Sequence, residues 1–210
     1  MIEYWKRNIL ESWDVFSRNS FLLITPCVLL FLIFYYVGVN LKNETISNTQ
    51  LILILAVSLI GVGIHIGAVS ITYQSIMNKK VTFTDIFQKF HMLHIILIPQ
   101  IAFFAFLFIL LNIIPISGYI FVLITIILYC LFLFFYDYLV VIENLSMKEA
   151  VLRNYQLVSM YPHIVLQFML VSFLIGFCLT ILPLIGSILS MCFVRIVGVK
   201  LFLMLNNYSK

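Results

Sequence analysis

Five polar side chains lie inside long apolar runs of this sequence and are the first candidates for chemistry. A charge in a membrane interior is energetically costly, so such residues often mark a pathway for protons or substrate. They also form ion pairs that hold helices together, and a lysine near a helix end can extend its ammonium group to the membrane surface. Counted from the loops, Asp137 and Lys200 lie at similar depth and Arg195 lies nearer the middle. We therefore predict that Asp137 pairs with Lys200 or Arg195. The five candidates are Asp137, Arg195, Lys200, His65 and Gln100.

His65 lies in the run GVGIHIG, between Gly63 and Gly67. The Gly-x-x-x-Gly spacing places two small residues on one helix face and allows a second helix to approach closely. A histidine at this position could relay protons, but its run contains no acidic partner. We therefore predict a helix-packing role for the two glycines.

Metal binding and catalysis find little support in the residue pattern. His91 and His94 share a helical face, but two histidines alone do not make a metal site. The 210 residues contain no His-Glu-x-x-His, no Gly-x-Ser-x-Gly and no phosphate-binding glycine loop. Gln100 follows Pro99, and a glutamine in a membrane helix more often bonds a neighbouring helix than a ligand. We expect no enzymatic activity, no cofactor and no metal.

The cysteines of the chain all fall within apolar runs. A free cysteine behaves as a small hydrophobic residue, and no Cys-x-x-Cys pair is present. We predict four buried thiols, without a disulfide or a metal: Cys27, Cys130, Cys178 and Cys192.

The segments that carry these residues are strongly apolar. Hydrophobic residues make up 64% of the 210 positions and charged residues 10%, whereas a soluble domain has about half and about a quarter. At about 20 residues per crossing, the length fits about six α-helices. A β-barrel is disfavoured because its strands would alternate apolar and polar residues. The sequence predicts an all-α integral membrane protein.

Six apolar runs are long enough to be transmembrane helices. Proline ends a helix and glycine accepts turn conformations, so Pro115 with Gly118 and Pro183 with Gly186 are predicted tips of helical hairpins. The predicted spans are Phe21–Val39, Leu51–Met77, Met92–Ile114, Tyr119–Val141, Ile164–Leu182 and a sixth that ends before Asn206.

An amphipathic segment precedes each of the three hairpins. In the first, residues 1–20, apolar side chains recur every three or four positions, which is typical of a helix lying in the membrane interface. A soluble helix packed beneath the bundle is the alternative. The other two segments cover residues 78–90 and 143–163, and Ser146 with Glu149 forms a predicted capping box in the third. The first stripe consists of Ile2, Trp5, Ile9, Trp13 and Phe16.

The second and third hairpins form an internal repeat. Thr82 corresponds to Ser146, Asp85 to Glu149, and each amphipathic segment is followed by a span, a Pro-x-x-Gly tip and a second span. The N-terminal segment and its two spans make a looser third copy. We predict a single polytopic domain, 1–210, with hairpin units 1–77, 78–142 and 143–210.

Basic residues alternate along the loops. They precede the first span, separate spans two and three, separate spans four and five, and occur in the tail, while the opposite loops carry only Lys42. Cytoplasmic loops are enriched in lysine and arginine, so both termini are predicted to be cytoplasmic. The formal net charge of +4 is not concentrated on one face, and we expect no nucleic-acid partner.

The segment Glu143–Tyr155 (ENLSMKEAVLRNY), followed by Leu182-Pro183-Leu184-Ile185-Gly186, is similar to a motif in a broad set of bacterial six-pass membrane proteins. These resemble the membrane domain that accompanies some glycerophosphoryl diester phosphodiesterases. Asn154-Tyr155 departs from the small-aromatic pair of that motif. The resemblance covers roughly residues 75–205 and implies a fold and a bacterial inner membrane. The phosphodiesterase activity is not carried over, because these 210 residues contain no such domain.

Three function classes follow from these features. The first is a non-enzymatic accessory, immunity or scaffold subunit that works with a transporter or envelope protein, or with further copies of itself. The second is a small transporter or permease subunit that uses Asp137, Arg195 and Lys200. The third is a lipid-handling protein with a lateral groove at headgroup depth. The first is favoured, because catalytic motifs are missing and the amphipathic segments could dock a partner.

Overall fold

A computed structural model describes residues 2–41, 48–113, 118–179 and 185–208. These ranges are helical almost throughout and contain no strand. Two short 3-10 helices, Phe83–Ile86 and Phe90–Met92, separate the second and third α-helices. The α-helices are α1 Ile2–Leu41, α2 Asn48–Ile76, α3 Leu93–Ile113, α4 Gly118–Leu133, α5 Tyr136–Glu143, α6 Met147–Met160, α7 Pro162–Leu179 and α8 Ile185–Tyr208.

Several helical stretches in the described part of the chain are long and apolar enough to cross a membrane. The prediction of an all-helical chain with multiple candidate spans is therefore confirmed, while the six-span hairpin arrangement stays a prediction. The fourth predicted span, Tyr119–Val141, differs from the others because the chain leaves the helix at Phe134 and Phe135. The five stretches are Glu3–Val37, Ile52–Ile76, Phe83–Leu107, Pro162–Leu179 and Ile185–Tyr208.

The helices are grouped into two compact units. The first comprises Met1–His91 with Phe168–Leu201, and the second comprises Met92–Gln167 with Phe202–Lys210. The core of the first unit is apolar and is drawn from α1, α2, the first 3-10 helix and α8. It contains Val15, Phe16, Leu23, Cys27, Ile71, Ile86, Cys192 and Ile196.

Helix α1 is interrupted at Asn19, whose φ of −126° and ψ of 24° are not helical. The interruption lies where the sequence divides an amphipathic segment from the first span. The predicted apolar stripe of that segment is split: Trp5 and Phe16 are buried, but Trp13 is 59% exposed. Its inward face includes the polar Ser12, whose hydroxyl donates to the Asn8 carbonyl at 2.7 Å.

Residues 83–92 form two 3-10 helices where one amphipathic helix was predicted. The Asp85 carboxylate accepts a hydrogen bond from the Thr82 N–H at 2.7 Å, and the Phe87 N–H donates to the Thr84 carbonyl three residues back at 3.0 Å. These bonds tighten the turn, since a 3-10 helix is defined by three-residue steps. The corresponding third segment is a full α-helix, α6.

Glycines on α2 determine how closely this turn approaches. A Cβ atom on Gly67 would lie 2.0 Å from the Ile86 carbonyl oxygen, and one on Gly63 would lie 2.7 Å from the Phe90 ring. A Cβ on Gly61 would meet only the Ile33 side chain, with Cγ2 at 3.2 Å. The Gly63–Gly67 pair thus faces the turn formed by residues 83–90.

In the second unit, Asn154 spans the break between α4 and α5. Its Oδ1 accepts from the Phe135 N–H at 2.6 Å, and its Nδ2 donates to the Leu131 carbonyl at 2.7 Å. Both backbone groups would lack a partner at a helix end. The fully buried Asn154 therefore supplies the hydrogen bonds that the broken helix cannot.

Tyr136 performs a similar task for α3. Pro99 has no N–H, so the Ile95 carbonyl four residues earlier loses its helical donor. The Tyr136 hydroxyl donates to that carbonyl at 2.6 Å. The Tyr136 hydroxyl on α5 thereby replaces the backbone donor that Pro99 removes from α3.

Tyr136→Phe is expected to destabilise the protein by about 1–3 kcal/mol, because it leaves the half-buried Ile95 carbonyl without a donor. Pro99→Ala restores the N–H within α3, so the double variant is expected to recover much of that loss. The measurement is the free energy of unfolding of the wild type, both single variants and the double variant in mixed detergent micelles. Strictly additive losses would contradict the coupling.

Candidate functional site

The polar ends of α5, α6 and α8 enclose an open groove of about 390 Å³ in the second unit. Helix α5 is followed by Asn144, which adopts a left-handed conformation (φ 55°, ψ 36°) that asparagine tolerates better than most residues. This reverses the chain within a few residues, so that α6 begins beside the end of α5. The groove is lined by Leu139, Glu143, Leu145, Glu149, Leu152, Arg153, Gln156 and Asn206.

Asn206 connects the charged groups of the groove. Its Nδ2 donates to Glu143 Oε1 at 2.8 Å, and its Oδ1 accepts from Arg153 Nη2 at 3.3 Å. Arg153 also donates through Nη1 to Gln156 Oε1 at 3.5 Å. A carboxylate, a guanidinium and two amides are therefore held in one network at the ends of the helices.

Glu149 adds a second carboxylate at the start of α6. The predicted capping box is confirmed, with Glu149 Oε2 accepting from the Ser146 hydroxyl at 2.6 Å and from its N–H at 3.1 Å. The Ser146 hydroxyl and backbone N–H lower the pKa of the Glu149 carboxyl. It is fully exposed, so the groove presents a charged carboxylate to its surroundings at neutral pH.

The five intramembrane candidates are divided between the units. Lys200 Nζ lies 2.6 Å from Glu11 Oε2, so its carboxylate partner here belongs to the N-terminal segment. Arg195 is buried and its Nη1 donates to Cys27 Sγ at 3.2 Å. In the second unit, Gln100 Nε2 donates to Asp137 Oδ1 at 3.5 Å. The expected pairing of Asp137 with Arg195 or Lys200 stays a prediction.

His65 and the hairpin tips complete the predicted set. His65 lies on α2 and is partly exposed. A Cβ on Gly186 would lie 1.7 Å from the Leu179 carbonyl oxygen, so the end of α7 touches the start of α8. Gly118 begins α4, while Pro115 and Pro183 lie outside the described residues.

The cysteines are not all alike. Cys27 and Cys192 are buried, but Cys178 is exposed, so the prediction of burial is wrong for Cys178. The side chain of Cys130 lies outside the described part. Within the described residues, no group of three or more histidine, cysteine, aspartate or glutamate side chains could hold a metal ion.

The groove residue that sequence reasoning missed is Asn206. It was assigned to a polar tail after the last span, whereas α8 continues to Tyr208 and buries it. Composition defines the end of an apolar helix poorly. An asparagine in the last buried turn of a helix and an asparagine in a tail look the same in the sequence. The one usable signal was Arg153, a cation on the side of an amphipathic helix that faces the protein.

Comparison of the chain with protein-family models, with curated proteins and with solved structures finds no match. The similarity to bacterial six-pass membrane proteins accordingly stays a prediction that rests on the two sequence segments named above.

Proposed function

We propose that this chain is a non-enzymatic protein of the bacterial cytoplasmic membrane that binds another membrane protein, as an accessory, immunity or scaffold subunit of a transporter or envelope system. The observation that carries the proposal is the open groove at the ends of α5, α6 and α8, where Glu149 and Arg153 meet the apolar Leu152. Charged groups beside apolar walls suit a protein surface, because interfaces combine apolar contact with specific polar pairs.

Internal contacts of the span charges support this proposal over transport. Lys200 is paired with Glu11 at 2.6 Å, and Arg195 is only 8% exposed, with its hydrogen bond directed to Cys27. A transport pathway needs polar groups that water or substrate can reach. Pairing and burial instead favour a role in holding helices together.

The exposed face of α6 extends the proposed surface. Leu152, Tyr155 and Met160 are each more than half exposed, on the helix whose first turn carries Glu149. Leucine, tyrosine and methionine suit both a membrane interface and a partner helix. We infer that the partner contributes an apolar helix face together with a basic side chain that reaches Glu149.

The test is purification of the intact protein from its native membrane in mild detergent, with mass spectrometry of the proteins that accompany it. Two variants on the same helix are matched: Gln156→Lys places a cation in the groove, and Ser159→Lys places the same cation outside it. We expect a stoichiometric membrane-protein partner with the wild type and with Ser159→Lys, and about tenfold less with Gln156→Lys. A wild type recovered alone, or equal recovery with both variants, would contradict the proposal.

Lipid handling is the second candidate, and the apolar walls of the groove favour it. The groove is lined by Leu139, Leu145 and Leu152 beside Arg153. The leucine side chains suit an acyl chain, and the arginine suits a headgroup phosphate. Native mass spectrometry of the same samples separates the candidates. A bound phospholipid that is retained in Gln156→Lys, whose added cation attracts a headgroup phosphate, with no protein partner, would support lipid handling.

We further propose six crossings in three hairpins, with amphipathic segments and both termini on the cytoplasmic side. The bend at Asn19 supports a distinct N-terminal segment, and α4 with α5 together supply 118–143 as a fourth crossing. Close contact between Gly186 and Leu179 supports a tight third hairpin. A reporter fused after Lys210 is expected to be active only in the cytoplasm, and periplasmic activity would refute this orientation.

A further inference from the structure

Two thiols and a guanidinium meet in the apolar core of the first unit. Arg195 Nη1 lies 3.2 Å from Cys27 Sγ. Cys192 Sγ donates to the Leu23 carbonyl at 3.3 Å, one helical turn before Cys27, and both thiols belong to the same buried core cluster. Cys27 is 0%, Cys192 2% and Arg195 8% exposed, so bulk water does not separate the three groups.

The guanidinium makes this pair of cysteines unusual. Arginine remains charged in a protein interior, and a buried charge is strongly unfavourable unless it is paired. The hydrogen-bond partner that the structure gives Arg195 is a cysteine sulfur. A neutral thiol is a weak acceptor, whereas a thiolate is an anion that a neighbouring arginine stabilises. The arrangement therefore favours a nucleophilic Cys27 with a second thiol beside it.

We propose that Cys27 and Cys192 form a redox-active pair that is closed to a disulfide by a lipid-soluble oxidant of the quinone class. The sulfur–sulfur bond forms as the Cys27 thiolate and the Cys192 thiol together lose two electrons and one proton. The quinone takes up the two electrons and two protons, one of them from water, and becomes a quinol. The reverse transfer from a quinol reopens the pair.

The surroundings of the pair determine the class of oxidant. Both sulfurs lie among Leu23, Ile71 and Ile196, on helices apolar enough to cross a membrane. A charged, water-soluble oxidant would have to enter this apolar core, whereas a quinone is uncharged and dissolves in lipid. The disulfide would join α1 to α8 covalently. This proposal does not depend on the groove or on its partner.

The test uses the full chain in isolated membranes, reduced and then exposed to a short-chain ubiquinone analogue. Free thiols are counted after denaturation by the gel shift of a maleimide-polyethylene glycol, and linked peptides are identified by mass spectrometry. We expect two of the four cysteines to become unreactive in the wild type, with a Cys27–Cys192 peptide. Four reactive cysteines at every quinone concentration, or a disulfide that includes Cys178, would overturn the proposal.

Matched variants test the role of each group. Cys178→Ser is expected to lose two reactive thiols on oxidation as the wild type does, whereas Cys27→Ser and Cys192→Ser lose none. Arg195→Lys retains the charge, and Arg195→Gln removes it, so the second is expected to slow oxidation about tenfold relative to the first. Equal rates would refute the role of Arg195, and the wild-type peptide map decides the pair even if a variant fails to fold.

Discussion

Gly67→Ala is expected to destabilise this protein by about 3 kcal/mol, the upper range for overpacking a tight contact. The added Cβ would lie 2.0 Å from the Ile86 carbonyl oxygen, far inside van der Waals contact. A backbone carbonyl cannot rotate away as a side chain can. The turn after α2 would have to move, and with it the Ile86 side chain, which is completely buried.

Two neighbouring glycines provide graded controls. Gly63→Ala meets the Phe90 ring at 2.7 Å, which is severe but can be relieved by movement of the ring, so an intermediate loss is expected. Gly61→Ala meets only the Ile33 side chain, whose Cγ2 methyl would lie 3.2 Å away and would have to yield by a few tenths of an ångström. Alanine is also the better helix former by about 1 kcal/mol, so the smallest loss is expected here. The loss in free energy of unfolding, measured in mixed detergent micelles, should be largest for Gly67→Ala, intermediate for Gly63→Ala and smallest for Gly61→Ala. Equal values at positions 61 and 67 would show that the contact with Ile86 is not formed.

Asn154→Leu is expected to lower the free energy of unfolding by about 2–5 kcal/mol. Leucine has similar size but leaves the Phe135 N–H and the Leu131 carbonyl without partners, and each buried orphan costs about 1–3 kcal/mol. The cost is large in apolar surroundings because no water is present to replace the amide. Faster hydrogen exchange at the Phe135 amide should accompany the loss.

Two substitutions refine this expectation. In Asn154→Asp the carboxyl group still accepts from Phe135. Burial favours its protonated form, which can also donate to Leu131, so a smaller loss is expected. Tyr155→Leu changes a side chain that is 51% exposed on the same helix and should alter stability by no more than about 0.5 kcal/mol. If Asn154→Leu unfolds as Tyr155→Leu does, the side-chain bridge across the break contributes nothing to stability.

The sequence was sufficient to predict features that depend on neighbouring residues. Apolar runs identified the helices, because burial in lipid or core needs about 20 such residues in succession. The Ser146–Glu149 capping box was predictable for the same reason, since its two members are three residues apart. The change of direction near Asn19 also coincides with a visible change from mixed to apolar composition.

Features that depend on distant residues were not predictable. The break at Phe134–Phe135 lies in an unbroken apolar run, and its polar partner is Asn154, on another helix. Lys200 and Glu11 are 189 residues apart, so no local pattern predicts their contact. Cys27 likewise looked like an isolated small hydrophobic residue, because nothing near it in the sequence shows that Arg195 lies against its sulfur.

Order of synthesis gives the Asn154 bridge a further consequence. Asn154 lies 19 residues after Phe135 and 23 after Leu131, so both backbone groups leave the ribosome well before their partner does. Membrane proteins are assembled as they are translated, N-terminal parts first, and a backbone group without a partner is unstable in lipid. If α4 crosses the membrane, as we propose, both groups stay without this partner until α6 has been made. We therefore expect α4 and α5 to reach their final packing only after the synthesis of α6.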